Sequence, residues 1–259
     1  MRMRFRRPEQ PRDAQRLVAQ HLAVWLLLDD DEQQRLLQVT NELLIRKRWE
    51  AARGFELDDT VRVVIASQAA LLVLGLSSDH YRLVSGIVVH PSTVQISGVR
   101  AGPSLGTVSA DRLAVLGLAQ GGRGPVVLAW DQALAGAHRT ERGHNVVLHE
   151  FAHKLDMLDG TIDGTPLLPR DVREDWVRVC TAVYEDLVAG VPRPPMRWYG
   201  ATNPGEFFAV ATEVFFEQPG DLLAFEPELY DVLTRFYRQD PAAREARAAI
   251  PRVPRPDEV

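Results

Sequence analysis

The 259-residue chain has one cysteine, Cys180, which excludes an intrachain disulfide and any structural zinc site built from several thiolates. It also lacks a long apolar run. The longest such tract, Val61 to Leu76, carries Arg62, Ser67 and Gln68 and falls short of a bilayer span, so it reads as a buried helix. The basic start, Met1-Arg-Met-Arg-Phe-Arg-Arg-Pro8, is followed to about residue 21 by polar and charged residues rather than an apolar core. A signal peptide is not expected. Nor is there a large excess of either charge: a net charge of −5 gives no general attraction to nucleic acid or to anionic membranes. These absences predict a cytoplasmic protein with neither nucleic acid nor membrane among its partners.

What is present is an ordinary globular composition, in a chain long enough to bury a sizeable core. Residues 1–28 are expected to form an arginine-rich N-terminal arm, 29–245 a single domain, and 246–259 a flexible tail. Within the domain, 29–80 reads as a helical N-terminal part and 81–245 as the catalytic part. Asp29 to Asp31 can cap a helix whose apolar positions Leu36, Leu37, Val39, Leu43 and Leu44 recur at helical spacing. Asp58 or Asp59 caps a second helix, apolar nearly all round and stopped by Gly75. Ser85 to His90 and Pro125 to Trp130 read as short strands, with Val94 to Val99 as a further one. A strand preceding a catalytic helix can serve as an edge on which an extended peptide is laid, although an ordinary internal strand fits the order equally well. Arg170 to Gly190 is helical by its stripe of Trp176, Val179, Val183 and Leu187, as is Asp221 to about Ala249.

The chemistry concentrates at His149-Glu-Phe-Ala-His153. On a helix, histidines four residues apart share a face, so both imidazoles reach one metal ion while Glu150 stands beside it as a general base. Leu148, Phe151, Leu155 and Leu158 form a core stripe that turns His149, Glu150 and His153 toward a cleft, and Asn145 is a good N-cap for this helix. A catalytic zinc needs a third protein ligand. The later segment Ala201 to Pro219, capped by Asn203 and opened by Pro204, offers Glu206 and Glu213 on one face. Seven residues separate them, roughly 10.5 Å of helical rise, so one metal binds at most one of the two. Locally, Glu206 completes a capping box with Asn203, and Glu213 could orient a histidine ring instead. Spacing alone leaves that choice open.

The long motif His149-Glu-Phe-Ala-His-Lys-Leu-Asp-Met-Leu-Asp-Gly160 carries a resemblance, together with Gly124-Pro-Val-Val-Leu-Ala-Trp-Asp131 and Tyr199-Gly-Ala-Thr-Asn-Pro-Gly-Glu206. The chain resembles the Mlc titration factor A family of bacterial zinc peptidases over about residues 30–240. That resemblance implies an α+β, mainly helical fold: a zincin-like metallopeptidase core of gluzincin type with a small sheet and N-terminal helices. It implies one Zn²⁺ per chain held by His149, His153 and Glu206, with Glu150 as general base and Tyr199 as the residue that stabilises the transition state. It also implies aminopeptidase-like action on a peptide or protein substrate. The alternative that it carries is a regulatory binding protein that sequesters a transcriptional repressor such as Mlc. The chain departs from the family pattern at Gly117-Leu-Ala-Gln-Gly-Gly122, where a Gly-Glu-aromatic stretch is expected.

Overall fold

The computed structural model describes residues 11, 13–52, 54–92, 124–139 and 142–249. Helix α1 (Ala14–His21) buries Ala14, Leu17 and Val18, and the 3-10 turn Ala23–Leu27 after it buries Val24 and Trp25. The stretch 1–28, expected to be an arm, is thus folded from Ala14 onward. The reason is local: an i, i+3, i+4 apolar stripe and the apolar run that follows it outweigh the arginines, most of which precede Ala14. Helix α2 (Asp30–Arg46) opens with a capping box in which Asp29 accepts from the Glu32 amide while Glu32 accepts from the Asp29 amide. Helix α3 (Asp59–Leu72), capped by Asp58, has every residue from Val63 to Leu72 buried, as its all-round apolarity requires.

Strands β1 (Arg48–Ala51), β2 (Val84–His90) and β3 (Gly124–Ala129) form a parallel sheet in the order β1-β2-β3, with Trp49 opposite Ile87 and Val88 opposite Val127. Parallel neighbours need a crossover, and α3 supplies it between β1 and β2. Among the described residues β3 pairs only with β2, so it stands at an edge of the sheet. The expected strand Val94 to Val99 and the divergent segment Gly117 to Gly122 lie outside the described residues.

Helices α4 (Trp130–Ala137) and α5 (Val146–Asp156) follow, and α5 ends in the 3-10 turn Met157–Asp159 and a left-handed Gly160. Helix α6 (Arg170–Val188) buries the stripe Trp176, Val179, Val183 and Leu187, together with Cys180, whose thiol pKa is pushed up by burial. Helix α7 (Pro204–Glu217) packs across α5. The segment after it, helical by pattern, is three helices: α8 (Pro219–Phe225), α9 (Pro227–Tyr237) and α10 (Pro241–Ala249). Each begins with proline, which suits a first helical position and cannot continue a preceding helix. Because α10 reaches Ala249, the first part of the expected tail is helical, and Arg244 on it is buried against Glu32 at 2.6 Å. The result is the mainly helical α+β architecture with a small sheet that the family resemblance implies, and one hydrophobic core runs from Ala14 to Tyr237. No helix among the described residues is long and apolar enough to cross a membrane.

Candidate metal centre

Two local devices set the orientation of α5. Asn145 Oδ1 accepts from the amides of Val147 and Leu148, each at 3.1 Å, which fixes the start of the helix. Leu148, Phe151 and Leu155 are then buried in the core, Phe151 edge-on to the Tyr81 ring, so the opposite face presents His149, Glu150 and His153 toward α7. The start of α7 is fixed in turn by Asn203, whose Oδ1 accepts from the Glu206 amide at 2.9 Å. Only this half of the expected capping box is used in the way the local pattern predicts, because the Glu206 carboxylate is turned to the histidines. The loop after α5 is drawn tightly against α7. Asp156 Oδ2 accepts from the Gly164 amide at 3.0 Å, and Gly164 has φ +73° with its missing Cβ only 2.4 Å from the Pro204 carbonyl oxygen. This close approach holds Glu206 at a set distance from α5.

At the centre, Glu206 Oε2 lies 3.0 Å from His149 Nε2 and 3.5 Å from His153 Nε2, and the two nitrogens are 3.2 Å apart. Three donor atoms thus form a nearly equilateral triangle. A tetrahedral zinc with bonds of about 2.0–2.1 Å sets its ligand atoms about 3.3–3.4 Å apart, so the triangle has the dimensions of one face of such a site. Among the described residues, Glu206 Oε2 makes no well-directed hydrogen bond despite its burial, as expected of an atom whose lone pair is aimed at a cation rather than at an N–H. The electrostatics agree. Burial would lower the pKa of His149, but the carboxylates of Glu206 and Glu213 outweigh it and raise it to about 10. Burial likewise works against the Glu206 carboxylate, yet the two histidines hold it well below the usual range. Glu150 is shifted the other way: burial raises its pKa, and among the described residues its Oε1 has no hydrogen-bond partner. The protein has concentrated negative charge around two imidazoles, and a divalent cation would neutralise it.

A sequence profile of the glucose-regulated metallo-peptidase M90 family matches residues 1–238. The chain belongs to the M90 metallopeptidase family. It is 34% identical to Mlc titration factor A of Serratia proteamaculans over 235 residues, which cover 87% of this chain and 88% of the relative. It is 32% identical to Mlc titration factor A of Yersinia pestis over 236 residues (85% and 82%). An uncharacterised protein of Synechocystis sp. is 35% identical over 243 residues (92% and 87%). For an M90 metallopeptidase the metal question falls on one place: among the described residues, His149, His153 and Glu206 are the one group of three His, Cys, Asp or Glu side chains able to hold an ion.

Around that group the M90 chain adds a second layer of contacts. Glu206 and Glu213 approach opposite nitrogens of the same ring: Glu206 faces His149 Nε2, and Glu213 Oε1 accepts from His149 Nδ1 at 2.8 Å. Of the two carboxylates left open by spacing, Glu206 therefore lies with the donor triangle and Glu213 behind it. The Tyr199 ring stacks on His149, with centroids 6.0 Å apart and planes 24° from parallel. All five residues singled out from the sequence, His149, Glu150, His153, Tyr199 and Glu206, are brought to this one locality. Sequence reasoning passed over Arg197, which donates to Glu213 Oε1 at 2.6 Å. The available signal was its position two residues before Tyr199 in a proline-rich connection.

Proposed function

We propose that this metallopeptidase binds one zinc ion through His149, His153 and Glu206 and hydrolyses peptide bonds as a gluzincin. The single observation that carries the proposal is the triangle of donor atoms at 3.0, 3.2 and 3.5 Å, whose edges suit tetrahedral zinc. Bound there, zinc would supply Lewis acidity, with the pKa of water lowered from about 15.7 toward 7. Glu150, one residue from His149 and with a raised pKa, receives the proton of the attacking water at Oε1 and returns it to the leaving amine. Tyr199, stacked beside His149, donates its phenolic hydrogen to the developing oxyanion. Burial around Glu150 and the ligands strengthens each of these charge interactions by excluding water. Resemblance to the Mlc titration factor A family supports aminopeptidase-like action on short peptides.

Replacing Glu150 by Gln tests the assignment, because it removes the base and keeps the shape. Zinc content should remain near one ion per chain and hydrolysis of peptide substrates should vanish. Turnover retained by E150Q would overturn the role given to Glu150. A second reading is favoured by the names of the relatives: binding of a transcriptional repressor like Mlc, with catalysis separate from it. Capture of the repressor by E150Q as well as by the wild type would support that reading, and no capture by either would exclude it.

A further inference from the structure

The turn that carries Tyr199 begins at Arg197, the residue preceding the 3-10 turn Trp198–Ala201. The guanidinium of Arg197 does not point to solvent. It donates through Nη2 to Glu213 Oε1 at 2.6 Å and through Nη1 to His144 Nδ1 at 2.7 Å, immediately before the N-cap of α5. Glu213 is the hub of this arrangement. Its Oε1 is shared between His149 Nδ1 and Arg197, and its Oε2 accepts from the Asn145 amide at 2.7 Å. One carboxylate, 3% exposed, thus joins a candidate metal ligand, the start of the helix that bears it, and the segment bearing Tyr199.

We propose that Arg197 is a positioning residue, which through Glu213 fastens the Tyr199 turn to His149 and compensates the buried Glu213 charge when the metal is bound. The charge argument follows from what a metal does to an imidazole. A coordinated histidine is neutral, and it gives its other N–H to the partner behind it. With His149 neutral, Glu213 is a buried anion, and Arg197 is the cation hydrogen-bonded to it. A buried charge left without a partner is costly, so the affinity of the site for metal depends on Arg197 although Arg197 never touches the ion. The geometric argument is separate. Arg197 and Tyr199 are two residues apart in one tight turn, in which the Gly200 amide donates to the Arg197 carbonyl at 2.9 Å. Fixing the guanidinium between Glu213 and His144 therefore fixes the turn, and with it the tyrosine ring against His149.

The part concerning Tyr199 rests on the role proposed for it above, and the experiment keeps the two readings apart. Zinc affinity is measured by competition with a chromophoric chelator, and kcat and KM are measured at saturating zinc, for wild type, R197Q, R197K and Y199F. R197Q should bind zinc more weakly, by up to the roughly 10–100-fold that is usual for losing the direct partner of a ligand, since Glu213 stays in place but loses its cation. At saturating zinc it should also lose kcat with little change in KM. Y199F should lose about 10²–10³ in kcat with wild-type zinc affinity. R197K keeps the charge but cannot span Glu213 and His144 with a planar fork, so zinc affinity should be largely kept while kcat still falls. Wild-type zinc affinity in R197Q, or an unchanged kcat in R197K, overturns the proposal. Circular dichroism checks that R197Q is folded, and if it is not, the kcat of R197K decides. Should the wild type bind zinc and cleave no peptide, the peptidase reading fails, and the zinc affinity of R197Q still decides whether Arg197 supports His149.

Discussion

Replacing Glu217 by Gln should stabilise the metal-free protein at pH 8 and change it little near pH 4.5. Glu217 is 3% exposed at the end of α7, where Oε1 accepts from Asn145 Nδ2 at 3.2 Å and Oε2 lies 3.2 Å from Arg139 Nε. Burial raises its pKa from 4.5 to about 7, a rise that Arg139 and Asn145 only partly offset. The sign follows from proton binding. Between pH 4.5 and 7 the folded state keeps the proton and the unfolded state does not, so wild-type stability falls as pH rises through this window. A shift of 2.5 units at about 1.36 kcal/mol each gives about 3 kcal/mol, complete above pH 7. Glutamine has nearly the same shape, still accepts from Asn145 and cannot ionise, so the variant escapes this loss. Denaturation in the presence of EDTA, across pH 4.5–8.5, should show the gap between variant and wild type opening with pH. At about 2–4 °C per kcal/mol, the melting temperatures should separate by on the order of 6–12 °C at pH 8. Titrating groups that do not interact with Glu217 cancel in the difference. A gap that is constant with pH, or that closes as pH rises, would refute the reasoning.

The contact between the loop after α5 and the start of α7 yields a second prediction. G164A places a Cβ 2.4 Å from the Pro204 carbonyl at a positive φ, so it should cost about 1–3 kcal/mol in thermal stability and lower zinc occupancy, because Glu206 lies two residues beyond Pro204. N145A removes the acceptor for the Val147 and Leu148 amides and the donor to Gln68 and Glu217. A loss of about 1–3 kcal/mol in chemical denaturation is expected, with weaker zinc binding as α5 frays at its start.

How far the site could be read from sequence depended on how local each interaction is. The pair His149 and His153 with Glu150, the Asn145 cap and the core stripe lie within one helix, and helical periodicity is enough to place them on opposite faces. The third donor comes from another helix, and Glu206 and Glu213 are equivalent by periodicity, so resemblance rather than spacing separated them. The capping pattern at Asn203 was real, but it described the backbone only, because the Glu206 side chain found stronger partners in two imidazoles. Arg197 carries no periodic or motif signal, and its partners Glu213, His144 and, through Glu213, His149 lie on other elements. The N-terminal segment misled for a different reason. Its arginines dominate the composition of the first sixteen residues, whereas the stripe Ala14, Leu17 and Val18 begins only at their end.

A crystal structure of the protein loaded with zinc, with the ion located by anomalous scattering at the zinc edge, tests the central claim most directly. The account predicts one ion per chain at about 2.0–2.2 Å from His149 Nε2, His153 Nε2 and Glu206 Oε2, with Glu213 still accepting from His149 Nδ1. An ion bound to Glu213 instead of Glu206, or no ion between the two histidines, would contradict it.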